Sequence, residues 1–252
     1  MKSSIQLYCA RNFQPWGEVL KTVGGLGYKE VEGFEGCFED VPALAVSLSD
    51  NGLTMPSAHF GIESLETEPG KCFETARALK ITFIIAPYLA EEDRPQTKAD
   101  WITFAHRLAR LGDAVKAEGF DFGWHNHDFE FHALEDGTLP MDLILTHAPN
   151  IAWEADIAWI AKGGQNPMDW IGKYGDRIRA VHLKDIAPDG QCADEDGWTD
   201  LGFGTLPWAA LLDAVHTSTN ATIMVMEHDN PSDFKRFARR SLTTFEQMES
   251  VG

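Results

Sequence analysis

The segment 123–131 (GWHNHDFEF) places four side chains that can bind a metal ion or transfer a proton within six positions. The apolar residues before it indicate a strand. Because side chains alternate along a strand, His125 and His127 should share one face of it. A histidine can equally be a buried structural residue, so the role of this segment depends on the elements that surround it.

Composition limits the classes of protein to consider. Of the 252 residues, 44% are hydrophobic and 24% are charged, as in an ordinary globular protein. The net charge of -18 argues against general affinity for nucleic acids or anionic membrane surfaces. The cysteines are scattered, and no apolar run is long enough to span a membrane. We expect one domain over residues 1–252, cytoplasmic, without nucleic-acid or membrane partners.

Short apolar or β-branched runs alternate with longer amphipathic segments along the chain. Eight strands are predicted, near residues 4–9, 28–33, 53–58, 80–86, 120–127, 151–156, 178–184 and 222–228. The predicted helices are 15–24, 39–50, 70–79, 98–118, 140–148, 167–175, 207–217 and 232–248.

A helix between almost every pair of strands requires parallel strands joined by crossover connections. Eight such units in a chain of 252 residues match the size of a (β/α)8 TIM barrel, which is the predicted α/β fold. A doubly wound open sheet is the alternative. No G-x-G-x-x-G follows the first strand to support a dinucleotide site in such a sheet.

Active-site residues of a TIM barrel lie at the carboxyl ends of its strands, and polar residues occur there in this sequence. An imidazole or carboxylate from each of the last four strands should converge at the barrel mouth. Mixed ligands of this kind suit one divalent ion, with Mn, Co, Zn, Ni, Fe and Mg all open. The alternative is that these groups are barrel residues paired with one another. The groups at these strand ends are His125 and His127, Glu154 and Asp156, His182 and Lys184, and Glu227.

Further polar and aromatic residues near the strand ends are candidates for the same site. Lys184 shares a face with His182 and either neutralises an enolate or forms a salt bridge with Asp156 or Asp185. His127 is a candidate for binding sugar hydroxyls or for proton transfer. The predicted substrate contacts are Arg11, Glu32, His59, Glu130, Glu154 and Trp159.

Motifs along nearly the whole chain carry a family resemblance. They are LYCAR and GYKEVEG near the start, then GWHNHDFEF, EADIAWIAKGGQNPMDWIGKYGDRIRAVHLKD, LGFGTLPW and MEHDNP. Together they resemble the sugar phosphate isomerase/epimerase family. This xylose isomerase-like TIM-barrel group also includes ketose 3-epimerases, inosose dehydratases and endonuclease IV. The resemblance implies a xylose isomerase-like barrel but does not select a substrate.

The resemblance also implies a ligand set, with one departure from the family pattern. Many relatives read E-N-H at strand five, where this chain has His125-Asn126-His127. His125 either ligates the metal or acts as the base, or the role passes to Glu154 or Glu130. The other family ligands correspond to Asp156, His182 and Glu227.

The expected function is that of a metal-dependent sugar or keto-sugar isomerase or epimerase. Glu227 or a His125/His127 base removes a proton next to a carbonyl, and a second group returns it to the enediolate. The alternative is a lyase or dehydratase acting on a keto-sugar, keto-glycoside or inosose, with His125, His127 or Lys184 protonating the leaving group. Two other classes are a nuclease, which the net charge of -18 disfavours, and a non-catalytic binding barrel. The substrate class is a sugar or cyclitol, and a homodimer is left open.

Overall fold

The computed structural model of the chain describes residues 2–250, and eight parallel strands in it form one sheet. A short antiparallel hairpin lies beside this sheet. The sheet strands are β1 (Lys2–Ile5), β2 (Glu30–Phe34), β3 (Thr54–His59), β4 (Phe83–Ala86), β5 (Asp121–His125), β6 (Ala152–Asp156), β7 (Ile178–Leu183) and β10 (Ile223–Met226). The hairpin strands are β8 (Asp185–Ile186) and β9 (Trp198–Thr199).

The sheet curves until its two edge strands meet. Its strand order is β1-β10-β7-β6-β5-β4-β3-β2, and all neighbouring strands in this order pair in parallel. A parallel bridge between Gln6 and Glu32 joins the β1 and β2 edges, so that the barrel is nearly closed. The predicted (β/α)8 fold is therefore confirmed.

Helices cover the outside of the barrel and connect its strands. The longest, Lys98–Ala117, begins where the Thr97 side chain accepts a hydrogen bond from the backbone N–H of Asp100, and Gly119 follows it with a φ of +89°. The helices are α1 (Trp16–Leu26), α2 (Val41–Asp50), α3 (Ile62–Thr67), α4 (Pro69–Leu79), α5 (Lys98–Ala117), α6 (Pro140–His147), α7 (Ile157–Lys162), α8 (Pro167–Tyr174), α9 (Trp208–Ser218) and α10 (Phe234–Glu249). None of them, within residues 2–250, has the length and apolar character of a membrane span.

Two apolar clusters hold the polar strand ends in position. The larger one packs the helices against the outer face of the barrel. Because side chains alternate along a strand, the next inward-facing residues after the interior cluster are polar, His182 on β7 and Glu227 just after β10. The interior cluster consists of Phe83, Ile85, Ala180, Ile223 and Val225.

The first strand lies earlier than the sequence predicted. The prediction was 4–9, but β1 ends at Ile5, and Leu7–Ala10 forms a 3-10 turn. The Gln6 side chain accepts a hydrogen bond from the backbone N–H of Tyr8 and so caps this turn. A polar residue that caps a turn stopped a strand that hydrophobicity alone would have continued.

Strands five, seven and eight of the barrel also end earlier than predicted. As a result His127, Lys184 and Glu227 lie on the loops that follow β5, β7 and β10 rather than within the strands. Helices α3 and α7 and the β8–β9 hairpin were not predicted. They are at most six residues long and too short to show a clear period in the sequence.

Candidate metal centre and active site

A cavity of about 630 Å³ opens where the barrel strands end. Two of the predicted substrate contacts, His59 and Trp159, line it. The predicted catalytic residues all line it as well: His125, His127, Lys184 and Glu227. The strand-end segments therefore meet around one space, as the barrel topology requires.

Three of the four predicted metal ligands form one compact group. Asp156 ends β6, His182 lies one residue before the end of β7, and Glu227 follows β10, and these strands are neighbours in the sheet. One donor atom from each lies within 4.8 Å of the others, and Asp156 Oδ2 is 3.7 Å from His182 Nδ1. All three side chains are buried. We refer to Asp156, His182 and Glu227 as the ligand group.

The donor atoms of the ligand group lack hydrogen-bond partners. Asp156 Oδ2, His182 Nδ1 and Glu227 Oε2 are buried without such a partner among the described residues. The Lys184 Nζ lies 2.8 Å from Glu227 Oε2 as an ion pair, without the geometry of a hydrogen bond. Buried polar atoms are rarely left unpaired, so three of them facing one another fit a bound cation.

Glu32 holds the other side of the His182 ring. Its Oε1 lies 2.8 Å from His182 Nε2, and its carboxylate also accepts hydrogen bonds from Gln6 and Ser57. Burial raises the pKa of Glu32, but the neighbouring imidazoles of His59 and His182 bring it well below its usual range. An ionised Glu32 favours a proton on His182 Nε2 and leaves Nδ1 for a metal ion.

His182 carries a positive charge in the protein alone. Burial lowers its pKa, but Glu154, Asp156 and Glu32 raise it well above its usual value. A cation at Nδ1 would have to displace the proton there, and metal binding should therefore release a proton.

The fourth predicted ligand, His125, belongs to a second buried group. Its Nδ1 lies 3.1 Å from Glu154 Oε2, which is also 2.7 Å from His59 Nε2 and 3.2 Å from His182 Nε2. Donor atoms of these four residues lie within 4.8 Å of one another, so this second group can also hold a metal ion. His125 is not grouped with Asp156 and Glu227.

Two imidazoles of the cavity wall are neutral: His125, which ends strand β5, and His127, which follows it. Burial and the adjacent His182 hold the pKa of His125 well below its ordinary value. Burial also lowers the pKa of His127 to about 4. Both rings are therefore unprotonated at neutral pH, and their lowered pKa values make them weak bases in the protein without a bound ion or substrate.

Lys184 is a fully buried cation beside the ligand group. Its Nζ pairs with Glu227 and with Asp229, and lies 3.9 Å from Asp156 Oδ2. The ammonium also lies 4.1 Å from the ring centre of Trp198. Burial would lower the pKa of Lys184, but these carboxylates raise it, so the side chain stays protonated. Of the two predicted salt-bridge partners, only Asp156 lies within reach.

The pKa of the Glu227 carboxyl group lies near neutrality in the protein without a bound ion. Burial raises its pKa to about 7, Lys184 acts in the opposite direction, and Asp229 adds to the increase. A carboxyl group with this pKa exchanges its proton readily near neutral pH.

Several predicted substrate contacts lie behind the cavity wall rather than on it. Glu32 and Glu154 are fully buried and pair with histidines. Arg11 donates hydrogen bonds to the carbonyl oxygens of Tyr8 and Asp229 and stacks on the Tyr8 ring. These contacts place the three side chains in positions that support the wall.

Glu130 is likewise buried, and it organises the turn that carries His127. Its carboxylate accepts hydrogen bonds from the backbone N–H of His127 and from Trp124 Nε1, both at 2.9 Å. Burial raises the pKa of Glu130 to about 8, although both hydrogen bonds oppose the increase. Glu130 does not line the cavity, and its contact with substrate stays a prediction.

This raised pKa predicts a pH-dependent contribution to stability. A carboxyl group with a pKa of 4.5 when unfolded and about 8 when folded stabilises the fold fully below pH 4.5. That contribution is lost as the pH rises through the folded value. Relative to Glu130→Gln, the wild type should therefore lose unfolding free energy between pH 4.5 and about 8. Urea denaturation followed by tryptophan fluorescence measures this difference.

The exposed Glu135 of the same loop provides the matched control for that experiment. Glu135→Gln should follow the pH profile of the wild type. Parallel profiles for the wild type and Glu130→Gln would contradict the assignment.

Sequence reasoning missed part of the cavity wall. Gln6, Tyr88, Arg94 and Asp229 line the cavity but were not predicted as site residues. Asp229 had a signal, since it follows Glu227 in the MEHD motif. Tyr88 and Arg94 lie on the irregular loop after β4, where no period in the sequence marks an inward direction.

Comparison with known proteins places this barrel in a family. The model of the xylose isomerase-like TIM barrel family matches residues 49–248. The chain belongs to the xylose isomerase-like TIM barrel family.

Similar proteins include both isomerases and dehydratases. An inosose dehydratase of Lacticaseibacillus casei is 28% identical over 115 residues, which are 44% of this chain and only 37% of that enzyme. A sugar phosphate isomerase/epimerase of Parabacteroides distasonis aligns with a TM-score of 0.79 at 20% identity, over 98% of both chains. The IOLI protein, solved with a zinc atom, aligns with a TM-score of 0.78 at 16% identity, over 100% of this chain and 97% of that one. The structural alignments show a shared fold.

Proposed function

We propose that the protein is a divalent-metal-dependent sugar or keto-sugar isomerase or epimerase. It removes a proton from the carbon next to a carbonyl of a sugar or cyclitol and returns it to the enediolate. The main observation behind this proposal is that Asp156, His182 and Glu227 present buried ligand atoms without hydrogen-bond partners. They lie beside a cavity whose wall includes His125 and His127. The sugar isomerase/epimerase among the similar structures supports the same reaction class.

The ligand group would hold the ion through one oxygen each of Asp156 and Glu227 and through His182 Nδ1. When bound, a divalent ion supplies polarisation of the substrate carbonyl and stabilises the negative charge that develops on its oxygen. One imidazole and two carboxylates suit several divalent ions. The zinc atom of the IOLI protein makes zinc the first ion to test.

The residues of the chain provide proton transfer and charge balance. The neutral imidazoles of His125 and His127 line the cavity and are the first groups to accept a proton from the substrate carbon, and the Glu227 carboxylate beside them is the second. Because His125 lies beside Glu154 and outside the ligand group, we assign it proton transfer rather than ligation of the ion held by that group. Lys184 stays protonated and adds positive charge next to the developing enediolate.

A dehydratase acting on a related cyclitol is the second candidate. The match to the inosose dehydratase favours it, and so does the asymmetry of the site. Where many relatives place a strand-five glutamate, this chain has His125, so the site lacks a symmetric carboxylate pair. If His127 or Lys184 protonates a leaving group β to the carbanion, the same intermediate eliminates water.

Solvent deuterium exchange tests the proposal and separates the two candidates. The metal-loaded protein is incubated in D2O with a panel of neutral and anionic keto-sugars and inososes, and products are analysed by NMR and mass spectrometry. Isomerisation or epimerisation adds one deuterium with the substrate formula otherwise unchanged, whereas elimination gives a product lighter by one water. No exchange and no elimination with any member of the panel would contradict the proposal.

Two variants make that experiment specific. His127→Ala removes a proposed proton-transfer group and should slow exchange by about 100-fold or more. His132→Ala serves as the matched control, since His132 is exposed in the same segment and does not line the cavity. Its exchange rate should equal that of the wild type.

A further inference from the structure

The lysine and the arginine that line the cavity differ in how their charges are balanced. Lys184 is surrounded by carboxylates. Arg94 instead donates hydrogen bonds to neutral acceptors, the Tyr88 hydroxyl at 2.7 Å and the Leu89 carbonyl oxygen at 3.2 Å. Within residues 2–250, its guanidinium has no ion-pair partner, although it follows the acidic segment 91–93.

The guanidinium of Arg94 is also held in a defined orientation. Its central carbon lies 3.9 Å from the ring centre of Phe129, which follows strand β5. The Tyr88 ring lies 5.4 Å away and contacts His127 edge to face. Nε and Nη2 donate these two hydrogen bonds, and the N–H groups of Nη1 have no partner among the described residues. A fixed guanidinium with spare donors suits a planar or tetrahedral oxyanion.

The rest of the cavity wall makes this arrangement unusual. Apart from Lys184 and the histidines, its other charged side chains are acidic, and the chain as a whole has a net charge of -18. An arginine in such surroundings would be expected to pair with a carboxylate of the protein. The acidic residues of the wall are Glu35, Asp128, Glu227 and Asp229.

We propose that Arg94 is the binding site for a carboxylate or phosphate group carried by the substrate. The anionic group would bind at the β4 loop, while the reacting carbonyl lies toward the ligand group and Lys184. This inference rests on the proposed function and narrows its substrate class to anionic sugars or cyclitols. Arg94 then sets specificity without taking part in proton transfer.

Binding measurements with related sugars that differ in charge test this inference. Isothermal titration calorimetry on the zinc-loaded protein compares D-glucose with D-glucuronate and with D-glucose 6-phosphate. We expect at least one anionic sugar to bind about 10- to 100-fold more tightly than D-glucose. That preference should disappear in Arg94→Met and be reduced in Arg94→Lys, which keeps the charge but loses the paired donors. A preference for only one of the two anions distinguishes a carboxylate from a phosphate.

Arg239→Met is the matched control because Arg239 is exposed on α10 and does not line the cavity. It should retain the full preference. Equal binding of neutral and anionic sugars overturns the inference, as does a preference that survives in Arg94→Met or the absence of binding by either anion. Any of these binding results, together with exchange activity of the wild type on neutral keto-sugars, would overturn the inference while leaving the proposed function intact. A wild type that neither binds metal nor catalyses exchange on any substrate would instead refute the proposed function.

Discussion

Replacing Glu227 with Gln is expected to lower the rate of substrate proton exchange by about 1000-fold or more. The substitution keeps the shape of the side chain but removes a negative charge from the ligand group. It also removes a carboxylate of the cavity wall that is a candidate for proton exchange with the substrate. The rate of deuterium incorporation at the carbon next to the carbonyl measures the effect.

Two further proteins make this result interpretable. Asp156→Asn should show a loss of similar size, because it also removes a negative charge from the ligand group. Its Oδ1 can still accept the hydrogen bond from the backbone N–H of Trp159 that caps α7, so the fold should be kept. Glu74→Gln, on the exposed face of α4, should keep wild-type activity. An exchange rate for Glu227→Gln within about 10-fold of the wild type would show that this carboxylate is not central to the reaction.

Removing the carboxylate behind His182 is expected to weaken metal binding. Glu32→Ala eliminates the nearer acceptor at His182 Nε2 and leaves only Glu154 Oε2 at 3.2 Å, so the ring is freer to carry its proton on Nδ1, where the ion should bind. We expect the dissociation constant for zinc to rise about 100-fold. Glu32→Gln keeps an acceptor oxygen but loses the charge, and should give an intermediate increase of about 10-fold.

Competition with a chromophoric chelator measures these affinities, and the absorption spectrum of the cobalt form reports on the ligand geometry. Glu32 is buried and also accepts hydrogen bonds from Gln6 and Ser57, so its loss also destabilises the fold. A purely structural role would lower the melting temperature while leaving the metal affinity of the folded protein unchanged. That result would refute the assigned role of Glu32.

The residues of the ligand group were proposed from the sequence through strand geometry and the family resemblance together. Alternation along β6, β7 and β10 turns Asp156, His182 and Glu227 inward, and parallel strands bring their carboxyl ends to one end of the barrel. The fold followed from the same regular alternation of strands and helices. Neither prediction depends on knowing the substrate.

The contacts behind the ligand group were not predictable in the same way. Glu32 and His182 are 150 residues apart, and their contact depends on the closure of the barrel. The assignment of His125 to Glu154 depends on side-chain positions that alternation alone does not determine. Arg94 lies on a loop whose path is set by tertiary contacts with Tyr88 and Phe129. Residue types alone do not reveal such contacts.

The most direct test of the proposed mechanism is the metal content of the protein purified without chelator or affinity tag. Inductively coupled plasma mass spectrometry would compare the wild type with the Asp156→Asn/Glu227→Gln double variant. We expect about one equivalent of a divalent ion such as zinc, manganese, cobalt or iron in the wild type. The double variant, folded as judged by circular dichroism, should lose it. A wild type that retains none of these ions after incubation with each would contradict the proposal, as would a double variant that binds them equally well.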